Sequence, residues 1–263
     1  MLNKIKIFLI KNFLIEKNYK FSLIAQLFSL FLTLIIFFFI DSFFKSEVQK
    51  HIDLNINYFS YIFVSFIVFN YSGGGNLIYQ KINFDITSGV FEFIVNKKNT
   101  ITPYILSLWL YSLLLSTLES SVYFIIAHSL GLIKPNLNLI SFFILILISS
   151  IVFSSIYIIT SSFVILFKKG DIFSFLFSVF ESIFAGVYFP ISALGDFSQL
   201  SKLIPLTHSI KAAQKIFYQN AYFWELKEFY ILLSFSLILC PLSVYIFKKS
   251  IYITRKWGNL NKY

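Results

Sequence analysis

Residues 186–217 read GVYFPISALGDFSQLSKLIPLTHSIKAAQKIF, directly after an apolar run, and they carry two prolines where a plain membrane span has none. Pro190 has no amide proton with which to continue a helix. The apolar run that begins near Ile172 is therefore predicted to end or kink there, leaving backbone groups that need protein or water partners. Pro205 makes a second break. Between the two prolines, residues 192–203 suffice for about three helical turns. Thr207 is placed to cap a further helix over residues 209–218, with Ile210, Ala213 and Phe217 at helical spacing. The stretch reads as a folded return of two short helices at a membrane edge.

The rest of the chain makes the bilayer its solvent. Of 263 residues, 57% are hydrophobic and 13% charged, and the mean hydropathy is +0.78. No water-soluble core hides that much apolar surface. Uncharged runs long enough for a hydrocarbon layer of about 30 Å occur at residues 21–40, 54–80 and 135–167. Three further runs are less uniform: 99–118, which reaches Ala127 only across Glu119; 172–189, which contains Glu181; and 229–247, which contains Cys240 and Pro241. Six spans are the simplest count. Residues 1–20 are too charged, and residues 21–40 too long, for a cleavable signal, so the first span is expected to remain.

Lysine and arginine set the orientation. The N-terminal segment, residues 81–99, the Lys168 and Lys169 turn and the tail carry about fifteen of them, against about seven in the other connections. The two sets alternate, which places both termini in the cytoplasm of a cell-membrane protein. Lys202, Lys211, Lys215 and Lys227 depart from the pattern, in an outside segment that is expected to fold back on the membrane. A net charge of +10 fits anionic lipid headgroups, because no basic cluster carries a nucleic-acid motif. In residues 1–20, Lys4 and Lys11 share one helical stripe and Ile5, Leu9 and Phe13 another, with Lys6 and Lys17 interrupting. The segment is either an interfacial helix or a disordered basic leader. With no internal repeat and no soluble domain, residues 1–263 read as a single membrane domain.

Residues 81–98, KINFDITSGVFEFIVNKK, join the second and third spans on the cytoplasmic side. Ile82, Ile86, Val90, Phe93 and Ile94 recur at helical intervals. Such a helix either docks in another protein's groove or rests on the headgroups.

Gly89-Val90-Phe91-Glu92 resembles the Gly-Thr-Leu-Glu box in the first cytoplasmic connection of type-2 ATP-binding-cassette (ABC) transporter permeases. Phe189-Pro190-Ile191-Ser192-Ala193-Leu194 and Ile204-Pro205-Leu206-Thr207-His208 resemble the same family's Phe-Pro-Leu-Ser-x-Leu and Asn-Pro-Leu-Thr-His boxes. Order and spacing agree across essentially the whole chain. Val90, Phe91 and Ile204 are the departures. The resemblance implies an all-α integral membrane protein of six transmembrane helices, with an N-terminal interfacial helix and a partly re-entrant helical pair between spans five and six. It implies that Asp85, Gly89, Glu92, Lys97 and Lys98 couple to an ABC ATPase subunit. It also places Phe189, Pro190 and Pro205 beside the substrate pathway. The permease is expected to pair with itself or a similar chain and to carry no cofactor, ATP and Mg being held by the partner ATPase. The expected activity is export of a hydrophobic or amphipathic substrate: a drug, lipid, lipid-linked glycan or peptide.

No GxxxxGK[ST] loop is present to hold ATP phosphates, so an ATP-driven cycle needs that partner. His51, His128 and His208 are widely spaced, and neither HExxH nor CxxC occurs, which argues against a metal site. Cys240 is expected to be a structural thiol inside the last span. Glu119 and Glu181 are costly if left charged in hydrocarbon and are candidates for the transport path, helix–helix hydrogen bonding being the other reading. They are also what an ion-coupled secondary carrier needs for proton sites. A lipid-modifying membrane enzyme requires clustered acids, His or Ser that the sequence lacks, and a non-transporting scaffold is the remaining rival. Gly73, Gly74 and Gly75 weaken the second span by about 1 kcal/mol each, for close packing or for a hinge. Trp109, Trp224 and Trp257 are candidate interface markers.

Overall fold

A chain in lipid must satisfy its amides within helices or closed barrels, and every regular element among the described residues is a helix. The structure, a computed structural model, describes residues 1–18, 57–133, 136–167 and 171–257 and isolated positions between 28 and 43. The span expected at 21–40 lies largely outside the described residues, as do His51, Pro135, the Lys168 and Lys169 turn and the tail after Trp257. The helices are α1 (Leu2–Asn18), α2 (Tyr58–Thr87), α3 (Val90–Asn96), α4 (Ile101–Ser129), α5 (Leu139–Phe167) and α6 (Asp171–Phe184). A 3-10 helix (Ile191–Phe197), α7 (Ser198–Ser201), α8 (Pro205–Gln219), a 3-10 turn (Phe223–Glu225) and α9 (Lys227–Lys256) follow.

Four of these, α2, α4, α5 and α9, are long and apolar enough to cross a membrane. The fifth expected span is shorter than its sequence suggests. Helix α6 has 14 residues, about 21 Å, and stops at Phe184 rather than near Pro190. The chain has already turned at Gly186, whose φ of 82° suits glycine. Beyond Pro190 the three expected turns are a 3-10 helix and a single α turn, because Gly195, at φ 56° and ψ −127°, breaks the winding. Helix α8 then begins at Pro205, not after a Thr207 cap. Proline's missing amide and fixed φ suit the first helical position, and it holds Ile204 extended. The Thr207 hydroxyl is buried and finds no hydrogen-bond partner among the described residues. Pro241 lies within an uninterrupted α9, and Cys240 faces outward rather than into the protein.

Helix α2 is central, packing against α4, α5 and α8, while α9 lies along α5. The many serines of α5 permit close approach. Ser155, Ser161 and Ser162 return their protons to carbonyls one turn back, at 2.7, 2.7 and 2.9 Å, and so add little bulk and no unmet donor. Buried apolar residues form two clusters. One surrounds the first half of α2 together with α8, and the other surrounds its second half with α3 and the ends of α5 and α9. Between them lies a waist of small and polar residues, which includes the glycine run.

The glycines answer to packing. A Cβ on Gly75 would stand 2.6 Å from the Tyr157 ring and 3.2 Å from the Phe153 backbone, and one on Gly74 would stand 2.5 Å from Ser116 Oγ. A Cβ on Gly73 meets nothing within 4 Å. Gly75→Ala is therefore expected to destabilise the protein by about 1–3 kcal/mol through overpacking. Gly73→Ala should be neutral or gain up to about 1 kcal/mol of helix propensity. Thermal unfolding of the two variants in detergent checks the contrast; equal midpoints would remove the packing argument.

Candidate functional site

Three regions hold the residues singled out by the sequence. At the end of α2, Ser88 closes the helix and Gly89 turns the chain with a φ of 74°, so that α3 restarts out of phase with α2. The apparent single periodicity over residues 82–94 is thus two helices. Ile82 and Ile86 face inward from the first, and Phe91, Ile94 and Val95 from the second. Phe93, counted with the apolar face by spacing, is instead 75% exposed.

Contacts from α4 and α9 hold α3. Phe91 meets the Tyr104 and Phe247 rings edge-on, at centroid distances of 6.3 and 6.2 Å. The last carbonyls of a helix lack internal donors; here Arg255 of α9 donates to Val95 O at 2.6 Å, and the Thr100 hydroxyl lies 2.5 Å from Ile94 O and 2.7 Å from Lys97 O. Asp85 is 2% exposed. Its Oδ1 accepts from Lys11 Nζ at 2.5 Å and its Oδ2 from the Tyr104 hydroxyl at 2.8 Å. Lys81 reaches Glu16 at 3.1 Å, Lys4 donates to Lys98 O at 3.0 Å, and Phe8 meets Tyr104 edge-on. Residues 2–18 are therefore a helix whose Lys4 and Lys11 turn into the protein, while Ile7, Ile10, Phe13 and Leu14 are exposed. Of the sequence candidates, Gly89, Lys97 and Lys98 are exposed and Glu92 is half-buried, whereas both oxygens of Asp85 are engaged within the chain.

The waist holds Glu181. It is fully buried, and its Oε2 accepts from Ser72 Oγ at 2.6 Å while Oε1 finds no hydrogen-bond partner among the described residues. Ser174 donates to Asn76 Oδ1 at 2.8 Å, so α6 meets α2 through two polar contacts. On α4, Asn70 of α2 reaches Ser116 O and Ser120 Oγ, and Trp109 spans to Ser150 of α5 at 3.2 Å. Glu119 is half-buried on α4. Trp224 and Trp257 are exposed at opposite ends of α9. A cavity of about 530 Å³ opens between α2, α4 and α5 and is walled chiefly by apolar side chains, among them Ile67, Leu113, Phe124, Phe142 and Phe217.

The third region is the α8 end. The Tyr61 hydroxyl donates to Gly186 O and the Tyr58 hydroxyl to Tyr188 O, each at 2.7 Å. Phe189 is half-buried, and Pro190 and Pro205 are buried on either side of the short helices. Helix α8 lies against α2 and α5, through Gln214 to Ser65 at 3.1 Å, Tyr218 to Ser60 O at 3.0 Å, and Ser209 to Ser149 at 2.8 Å. The polar contacts across the chain had no signal in sequence spacing, since Lys11 and Asp85 are 74 positions apart.

Comparison with known proteins bears on the chain as a whole. A search of the curated proteins found no match. The family model described as ABC-2 type transporter matches residues 3–218, from α1 through all but the last residue of α8. That region contains all three sequence boxes and two of the three site regions entire. The chain belongs to the ABC-2 type transporter family, as a membrane component of a transporter.

Proposed function

We propose that the chain is the membrane subunit of an ATP-driven exporter, with its α3 end in the cytoplasm and docked on a separate ATPase that holds ATP and magnesium. Phe93 is the observation that carries this reading. It stands 75% exposed on a helix whose buried residues and terminal carbonyls are held by α4, α9 and Thr100. Exposed aromatics on a rigid support are typical anchors for a partner's pocket. Around it Gly89 sets the turn, Glu92, Lys97 and Lys98 form a polar rim, and Asp85 positions the assembly by holding α1 and α4 rather than by touching the partner.

Six spans, counted as the four long helices, residues 21–40 and the short α6, put both termini in the cytoplasm and make residues 1–263 one domain of a cell-membrane protein. The exposed Ile7, Ile10, Phe13 and Leu14 support α1 lying on the inner bilayer surface. Residues 186–219 act as the partly re-entrant pair at the outer side. The chain pairs with a second copy or a similar permease, and cargo crosses between them. The apolar cavity supports a hydrophobic or amphipathic cargo. Of the two acids, Glu119 is the pathway candidate, while Glu181 fastens α6 to α2.

ATP-driven closure of the ATPases then moves α3 with α2 and α4 as a unit. Phe93→Asp is expected to weaken association with the ATPase by about 2 kcal/mol, roughly 30-fold, with the thermal midpoint unchanged. Co-purification from cells expressing both proteins reads this, and undiminished recovery would overturn the docking site. The unit itself is tested by a double-mutant cycle of Lys11→Gln and Asp85→Asn. A coupling energy of about 1–3 kcal/mol is expected for a hydrogen bond between charged groups; additive effects on unfolding would show α1 to be loosely held.

A further inference from the structure

Lys202, Lys211, Lys215 and Lys227 are the lysines that depart from the alternating charge pattern of the connections. The fold gathers all four around one cavity of about 480 Å³ at the α8 end. Its walls come from separate stretches of chain: the 3-10 helix with α7, one face of α8, and the first turn of α9. Among the described residues Glu228 is the only acid lining it, and that side chain is buried and held by Lys215 at 3.3 Å. With Lys215 taken up by Glu228, Lys202 and Lys227 leave the wall positive among the described residues.

Beside the apolar Pro190, Ile191 and Ile210, two polar residues of the lining are fixed in place. Gln214 is 7% exposed and Ser201 1% exposed. They are tied to Ser65 Oγ at 3.1 Å and Phe184 O at 2.6 Å. Like charges converging on a small volume repel one another, and an oxyanion among them removes the repulsion while accepting several charge-assisted hydrogen bonds. The surroundings indicate the depth of the site. Tyr222 and Trp224 stack together, exposed, just before α9. Phe197 and Leu203, also exposed, flank the cavity-lining residues Ser198 and Lys202 in sequence. Amphipathic aromatics and bare aliphatic side chains beside lysines mark the boundary between headgroups and acyl chains.

We propose that this cavity binds the phosphate of an anionic lipid headgroup. Lys202 and Lys227 supply the charge, the Lys215–Glu228 pair forms a fixed wall, and the acyl chains run out past Phe197 and Leu203. The site lies at the opposite end of α2 from α3, and it stands whether or not an ATPase drives the chain.

The full chain, purified in dodecyl maltoside, is titrated with dihexanoyl phosphatidylglycerol, dihexanoyl phosphatidylcholine, glycerol 3-phosphate and inorganic phosphate. Native mass spectrometry and the thermal midpoint read binding. Phosphatidylglycerol is expected to saturate a single site, at least about tenfold more tightly than phosphatidylcholine, and to weaken by at least about tenfold in K202Q/K227Q. The K248Q/K249Q control, at the far end of α9, should bind as the unaltered chain does. Both pocket lysines replaced are exposed, so the fold is expected to survive, and the lipid-free midpoint checks it. Equal affinity for glycerol 3-phosphate or inorganic phosphate would assign the cavity to a soluble phosphate and overturn the lipid. Undiminished phosphatidylglycerol binding in K202Q/K227Q, or equal loss in the control, would overturn the site itself.

Discussion

Two tyrosine hydroxyls make the return at the α8 end possible. When α6 stops short, the Gly186 and Tyr188 carbonyls lose their helical donors, and Tyr61 and Tyr58 take them up at 2.7 Å each. An unpaired carbonyl in an apolar setting costs a few kcal/mol, and a turn at the edge of a bilayer cannot rely on water. The same first two turns of α2 also supply Ser60 and Ser65 to α8. The beginning of α2 is thus the surface on which residues 186–219 are assembled.

The other end of the same helix is equally committed. Asp85, two residues before α2 ends, accepts from both α1 and α4 and so fixes the bundle that carries α3. One helix of 30 residues, about 45 Å long, therefore organises both ends of the molecule. Its middle approaches its neighbours too closely for a Cβ, at Gly74 against α4 and Gly75 against α5. Close-packed contacts of that kind carry displacement better than they absorb it, because interiors respond to strain by shifting as blocks. The glycine run thus joins the two ends mechanically, although three successive glycines read as easily as a hinge.

The helical class and the apolar lengths of α2, α4, α5 and α9 were legible because each rests on runs of apolar residues, whereas the break expected at Pro190 comes earlier, after Phe184. What escaped were details set by a single backbone dihedral. Gly89 shifts the helical phase and turns Phe93 outward, and nothing in the spacing of Ile82, Ile86 and Ile94 announces it. Gly195 broke a helix that twelve residues could have formed. Thr207 was a reasonable cap on composition, yet Pro205 nucleates the helix two residues earlier. The candidate site was legible in its neighbourhoods but not in its roles. Asp85 was singled out as a coupling residue, and its partners Lys11 and Tyr104 come from elements that only the fold brings together. The four outlying lysines were visible as an anomaly of charge, and their common cavity was not.

The two ends differ in how they are held, and that difference bears on which of them can move. Helix α3 is short, but it is enclosed by an apolar cluster with contributions from α2, α4, α5 and α9. Residues 191–203 form a 3-10 helix and one α turn with no buried apolar side chain of their own. Segments of that length do not persist on propensity alone, and regions with few buried apolar contacts are the first to open. Helix α8, by contrast, is buried along most of its length against α2 and α5. Any opening at that end therefore passes through residues 191–203 before it disturbs α8. The cavity lysines divide along the same line: Lys202 belongs to the weakly held segment, while Lys211, Lys215 and Lys227 belong to α8 and α9. A ligand bridging them ties the segment that opens most easily to the part that does not.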